Sequence, residues 1–164
     1  LDETYKRILK LRAIRSFRPD RLSDEDLQAV LEAARWTGSA KNRQKWAFVV
    51  VSEPEQRERL AGCGSFTGPI RQAPVTIALV QESEGYEFDT GRLAQNIMLA
   101  ADTHGVASCP VTLHNDSQAA VVLGLPAGAR CRYAVALGYP GPGRAKSNFS
   151  GRKPLAELVH KERY

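Results

Sequence analysis

The chain has 164 residues, 43% of them hydrophobic and 25% charged, which suits one globular domain with a real core and argues against a disordered or fibrous chain. No apolar run exceeds strand length, so no membrane span is expected. The net charge of +5 favours anionic ligands, but the basic residues are dispersed without interleaved aromatics, which argues against a nucleic-acid module.

In chain order, Glu3 to Leu11 reads as a helix with Ile8, Leu9 and Leu11 as its apolar contribution, and Phe17 and Pro19 break the pattern. Ser23 is a good N-cap, followed by Asp24, Glu25 and Asp26 in the first turn, where they oppose the helix dipole. Leu27, Val30, Leu31 and Ala34 then keep amphipathic helical spacing, with Gly38 expected to end the helix. Trp46 to Ser52 reads as a buried strand, and Pro54 to Leu60 as a short helix. Gly62, Gly64 and Gly68 superficially resemble a dinucleotide loop, but they follow a helix rather than a strand. Pro74 to Val80 is a strand apolar on both faces.

Asp89 to His104 reads as a helix apolar on more than one side, buried either in a core or in a subunit interface. Val106 to Leu113 is extended, Ser117 to Leu123 helical, and Arg132 to Leu137 a strand. Pro154 opens a last short helix through Val159. Alternating strands and helices, with no internal repeat, predict one α+β domain over residues 1–164 around a mixed sheet. Three cysteines, Cys63, Cys109 and Cys131, cannot all pair within one chain and fit no metal motif. No metal site is expected, and a reducing cytoplasm is the expected compartment. The first residues, Leu1 to Thr4, lack the basic-then-apolar layout of a signal peptide.

The polar loop Gly38-Ser39-Ala40-Lys41-Asn42-Arg43-Gln44-Lys45-Trp46 runs directly into the strand. Asn and Gln each offer donor and acceptor, which suits reading the edge of a flat heterocycle, although the same residues also make ordinary turns. Together with Leu11 to Phe17, the helix start Asp89 to Asn96, the stretch Gly105 to Thr112, and Leu137-Gly138-Tyr139-Pro140, this loop occurs in an order that resembles the FMN-dependent nitroreductase family. The resemblance spans about residue 7 to the C-terminus and makes this chain a short member.

The resemblance implies a nitroreductase-like fold, with a mainly antiparallel mixed sheet flanked by helices, in an intertwined homodimer carrying flavin at the interface. It implies that Arg12 and Arg152 hold the FMN phosphate and that Arg15 sits near flavin N1 and O2. Arg71 would serve as a second cation. Ser39 and Asn42 would reach the flavin from the other subunit, while Gln44 and Trp46 are structural. Pro110, Val111, Thr112 and Leu113 would pack on one flavin face and address N5 and O4 through backbone N–H groups. Read alone, the arginines could equally be solvated surface residues.

No catalytic side chain is implied, because hydride passes through flavin N5 and protons come from solvent. The implied reaction is ping-pong: NADH or NADPH reduces FMN, then a nitroaromatic, quinone or related small acceptor is reduced. Leu11 and Ala13 stand where the family's phosphate motif often has a basic residue and a Ser, and Lys10 could partly compensate. Gly38 and Lys45 replace common prolines, and Thr112 stands where some members have Glu. Only Gln81 to Phe88 remains of a longer family segment that covers the substrate pocket, so a shallow, open flavin face is expected. Two other readings stay open: a flavin-binding or flavin-sequestering protein with little turnover, and a deazaflavin-dependent relative.

Overall fold

The computed structural model describes residues 2–143 and 151–164. A short helix, α1 (Glu3–Lys10), is capped by Asp2, whose carboxylate accepts from the Thr4 N–H at 2.8 Å. Helix α2 (Asp24–Arg35) starts at Ser23, whose hydroxyl accepts from the Asp26 N–H at 3.1 Å. It ends at Trp36, two residues before the expected stop. Gly38 instead permits the close approach of Arg92, whose guanidinium would lie 3.0 Å from an added Cβ.

Four strands follow: β1 (Trp46–Val51), β2 (Val75–Gln81), β3 (Ala107–Thr112) and β4 (Arg130–Gly138). They form one sheet in the order β1-β2-β4-β3. All three pairings are antiparallel, so the parallel component of a mixed sheet is not found among the described residues. The edge position of β1 explains a second difference. It was expected to be buried, yet Val51 is its single fully buried residue, because one flank of an edge strand has no neighbour.

Strand β2 is covered on both faces, as its mostly apolar sequence implies. Val75, Ile77 and Leu79 join Val135 and Leu137 against α2 and the long helix α5 (Glu87–Thr103). On the other face, Ala78, Val111, Leu113 and Ala134 pack against α3 (Pro54–Ala61), α4 (Gly68–Gln72) and α6 (Asp116–Leu123). Helix α5 begins two residues earlier than expected, and the short α4 carried too few residues to show a period. Of the expected last helix only a single 3-10 turn, Leu155–Glu157, forms.

Candidate functional site

The outer edge of β3 brings Pro110 to Leu113 together with the segment that carries Arg15. The Leu113 N–H donates to the Arg132 carbonyl at 2.7 Å, which fixes the phase of the β3–β4 ladder. Residues 107, 109 and 111 therefore direct their backbone groups at β4, and Ser108, Pro110 and Thr112 direct theirs outward. The Ser108 carbonyl accepts from the Ile14 N–H at 2.8 Å. Pro110 has no N–H and can sit there without losing a ladder bond. Beyond it, the Thr112 N–H meets no acceptor among the described residues.

This narrows what the segment 110–113 offers. Leu113 is fully buried in the second core and Val111 nearly so, while Pro110 is exposed and Thr112 half-buried. The surface presented outward is a proline ring followed by one free backbone donor.

The Ile14 bond lays the basic segment along this edge. Ala13 is half-buried between the exposed Arg12 and Arg15. Arg15 lies near enough to Cys109 that its charge opposes the upward push of burial on that thiol, and it forms no ion pair among the described residues. Arg12 is turned back: one guanidinium nitrogen donates to the Leu9 and Leu11 carbonyls at 2.9 and 2.7 Å, closing the C-terminus of α1. Arg152 is exposed and donates to the Gly151 carbonyl at 2.8 Å, and no contact joins it to Arg12 among the described residues.

Residues 64–67 close the other end of the edge. An added Cβ at Gly64 would stand 2.7 Å from the Thr112 carbonyl and 2.8 Å from Thr67 Cγ2, so only glycine lets this turn meet β3. The Ser65 N–H donates to His114 Nδ1 at 3.3 Å, and the 82% exposed Phe66 sits edge-on to the His114 ring. Arg71 is engaged here, with Nε 2.9 Å from both Glu58 oxygens and Nη1 donating to Thr67 Oγ1 at 3.1 Å. Gly64, Phe66 and His114 escaped the sequence reading; the Gly62–Gly64 pair was the one local signal, and it marked only a loop.

Ser39 and Asn42 lie elsewhere in the chain. Ser39 Oγ accepts from the Gln44 N–H at 2.9 Å, and Asn42 Oδ1 from Gln44 Nε2 at 3.1 Å. Lys41, Asn42 and Gln44 all have positive φ, near 50°, a costly backbone that these two bonds hold in shape. The loop precedes β1, at the sheet edge opposite β3. Three strand spacings, about 14 Å, separate those edges.

Cavities of 360 and 540 Å³ lie apart from the β3 edge, the first between α1, α2 and α5, the second beside β1 and Pro74. Among the described residues no three His, Cys, Asp or Glu side chains converge as metal ligands, and no helix is long and apolar enough to cross a membrane.

The nitroreductase family model matches residues 8–63 and 67–139, which include β1 to β4 and the basic segment beside β3. The chain belongs to the nitroreductase family. Among its relatives, the NADH dehydrogenase of Thermus thermophilus is 27% identical over 192 residues, covering 92% of each chain. The NADPH-flavin oxidoreductase of Vibrio harveyi is 25% identical over 184 residues, with all of this chain and 75% of that one covered. The structure of the NADPH:FMN oxidoreductase from Vibrio harveyi, complexed with NAD+, superposes with a TM-score of 0.89 at 23% identity. That match covers 99% of this chain and 78% of the other, and it shows a common nitroreductase fold. This member of an oxidoreductase family joins β2 to α5 through residues 82–86 alone.

Proposed function

We propose that this protein is an FMN-dependent oxidoreductase that takes electrons from NADH or NADPH and reduces a nitroaromatic, a quinone or a related small acceptor in two alternating half-reactions. The observation that carries the proposal is the free Thr112 N–H, on an open sheet edge between Arg15 and the Gly64 turn. A lone backbone donor beside an exposed proline ring suits a heterocycle with acceptor atoms along one edge. Arg15, which forms no ion pair among the described residues and stands toward the Ser108–Cys109 end of the same edge, suits negative charge, so the residues present fit FMN.

Bound FMN would supply the electron carrier, accepting hydride from the nicotinamide and yielding it to the acceptor. The chain's own part is to bind, orient and tune. Thr112 fixes the ring edge through its N–H, with Pro110, Val111 and Leu113 stiffening the strand behind it. Arg15 would supply the cation that favours negative charge on the bound ring. Arg12 and Arg152 supply cations for the phosphate, with Arg12 exchanging the Leu9 and Leu11 carbonyls for a charge-assisted bond. Ala13 contributes backbone alone. Arg71 acts as a second cation whose field Glu58 partly cancels.

Ser39 and Asn42 complete the site from a second subunit. Their separation from β3 within one chain supports this, as do Ile8 and Leu9, exposed at 50% and 52% on α1. The working form is thus a homodimer, and three unpaired cysteines are in keeping with a reducing cytoplasm. No acid–base side chain is needed if solvent supplies the protons.

The visible spectrum of the purified protein, recorded before and after FMN addition and desalting, tests this reading. A retained flavin spectrum bleached anaerobically by NADPH, with parallel-line kinetics against a quinone, is the expected result. Retained flavin without turnover would make the protein a flavin-sequestering one. Failure to retain FMN would remove the reading.

A further inference from the structure

Tyr133 faces Thr112 across the β3–β4 pair in a non-hydrogen-bonded position, where opposed Cα atoms lie about 4.5 Å apart. Its hydroxyl donates to Glu87 Oε1 at 2.7 Å, at the first residue of α5. Arg130 Nη2 and Arg132 Nε each stand 4.0 Å from that same oxygen. In a regular strand residues 130 and 132 would share one face and residue 133 the other. A bulge removes the constraint. Leu79 pairs with Tyr133 while Gln81 pairs with Arg130, so β4 holds one residue more than β2 across this step. Bulges re-aim side chains, and here two guanidinium groups and a phenol converge on one carboxylate.

A separation of 4.0 Å is too long for a hydrogen bond, so both guanidinium groups keep their N–H donors free of Glu87. Both side chains remain over 40% exposed. Two arginines against one glutamate leave one positive charge in excess. The N-terminus of α5 adds to it, because Tyr86 at the cap makes no side-chain hydrogen bond to the first-turn N–H groups.

We infer that Arg130 and Arg132 form a subsite for an anionic group, a carboxylate or a phosphate, carried by a small molecule that exchanges electrons at the neighbouring Thr112 edge. This rests on the oxidoreductase reading above. A guanidinium fork pairs with two oxygens of either group, and two such forks beside each other can hold one anion between them. Glu87 keeps the forks together and, carrying the same sign as the ligand, holds the affinity down. The anion has two possible carriers: a nicotinamide donor, through the ribose phosphate that distinguishes NADPH from NADH, or an acceptor bearing a carboxylate.

Calorimetric binding to the oxidised holoprotein separates them, using NADP+ against NAD+ and 4-nitrobenzoate against 4-nitrobenzyl alcohol, with turnover of the same pairs followed in parallel. In the Arg130→Gln/Arg132→Gln variant, one of the two affinity ratios is expected to fall about tenfold, and the pair that responds names the carrier. Glu87→Gln is expected to move that ratio in the opposite direction, and Arg130→Lys/Arg132→Lys to recover part of it. Thermal melts of the variants separate a lost fork from a lost fold, and the lysine pair keeps the test decisive if the glutamine pair unfolds. Unchanged ratios for both pairs overturn the subsite. Absent turnover with every donor and acceptor, alongside ratios that still depend on the two arginines, would sink the oxidoreductase reading and leave the anion subsite standing.

Discussion

The Ile14 N–H donates to the Ser108 carbonyl at 2.8 Å, and this bond lays the basic 12–15 segment along the open edge of β3. Arg15 is thereby held beside the Ser108–Cys109 end of that edge, on which the Thr112 N–H also lies, by backbone rather than by its own side chain. The variant Arg15→Ala should therefore leave the fold intact while weakening FMN. A lost charge-assisted bond of about 1.5–3 kcal/mol corresponds to roughly 10- to 100-fold weaker retention, readable by flavin fluorescence titration. The reduction potential of the remaining bound flavin should also fall. Retention and potential like those of the unaltered protein would put Arg15 outside the site.

Gly64→Ala addresses the other end of the edge. Its Cβ would meet the Thr112 carbonyl, a backbone atom that cannot swing away, so the 64–67 turn must shift. Overpacking of this kind costs about 1–3 kcal/mol, measurable as a lowered urea midpoint. Because the strain falls on Thr112 itself, FMN retention should decline as well. A midpoint and retention like those of the unaltered protein would show that the turn is free to move.

The legible parts of this molecule were those with local causes. Ser23 and the acidic residues after it marked the start of α2, and the mostly apolar stretch Pro74 to Val80 marked a strand covered on both faces. The residues flanking the β3 edge were named only through the family resemblance, which rests on contiguous motifs such as Leu11 to Phe17 and Gly105 to Thr112. What stayed hidden depends on distant pairing. The phase of the β3–β4 ladder decides that Thr112, and not Val111 or Leu113, offers its N–H outward. The capture of Arg71 by Glu58 and the edge position of β1 likewise arise only once the chain has closed. Gly64 and His114 meet across 50 positions, beyond the reach of any window.

A half-buried hub outside the site should make stability pH-dependent. The Asp26 carboxylate accepts from the Tyr139 hydroxyl at 2.7 Å, from Ser23 Oγ at 2.7 Å, and faces His104 Nδ1 at 3.0 Å. These bonds, Tyr139's above all, hold the carboxyl below its ordinary value of 3.8. A carboxyl with a lowered folded value contributes stability that is present above its unfolded value and lost as pH falls through the folded one. Tyr139→Phe keeps the ring beneath Arg18 and removes the hydroxyl. Urea unfolding should show a loss of about 1 kcal/mol at pH 7, shrinking as the pH is taken well below the carboxyl's ordinary value of 3.8. An equal loss at both pH values would detach Tyr139 from the titration of Asp26.

Complementation offers the sharpest check on the two-subunit site. Arg15 flanks β3 and Asn42 precedes β1, at opposite edges of one sheet. If the two meet across subunits, homodimers of Arg15→Ala and of Asn42→Ala each carry two damaged sites. A mixed dimer carries one site with both substitutions and one with neither. Random assembly of equal amounts makes half the dimers mixed, so about a quarter of all sites should regain tight FMN binding. Co-expressed chains with different affinity tags allow the mixed dimer to be isolated, and its flavin content should approach one per dimer. If the mixed dimer holds no more flavin than the two homodimers, Arg15 and Asn42 do not share a site, and the loop 39–44 has only the structural role that Gln44 gives it.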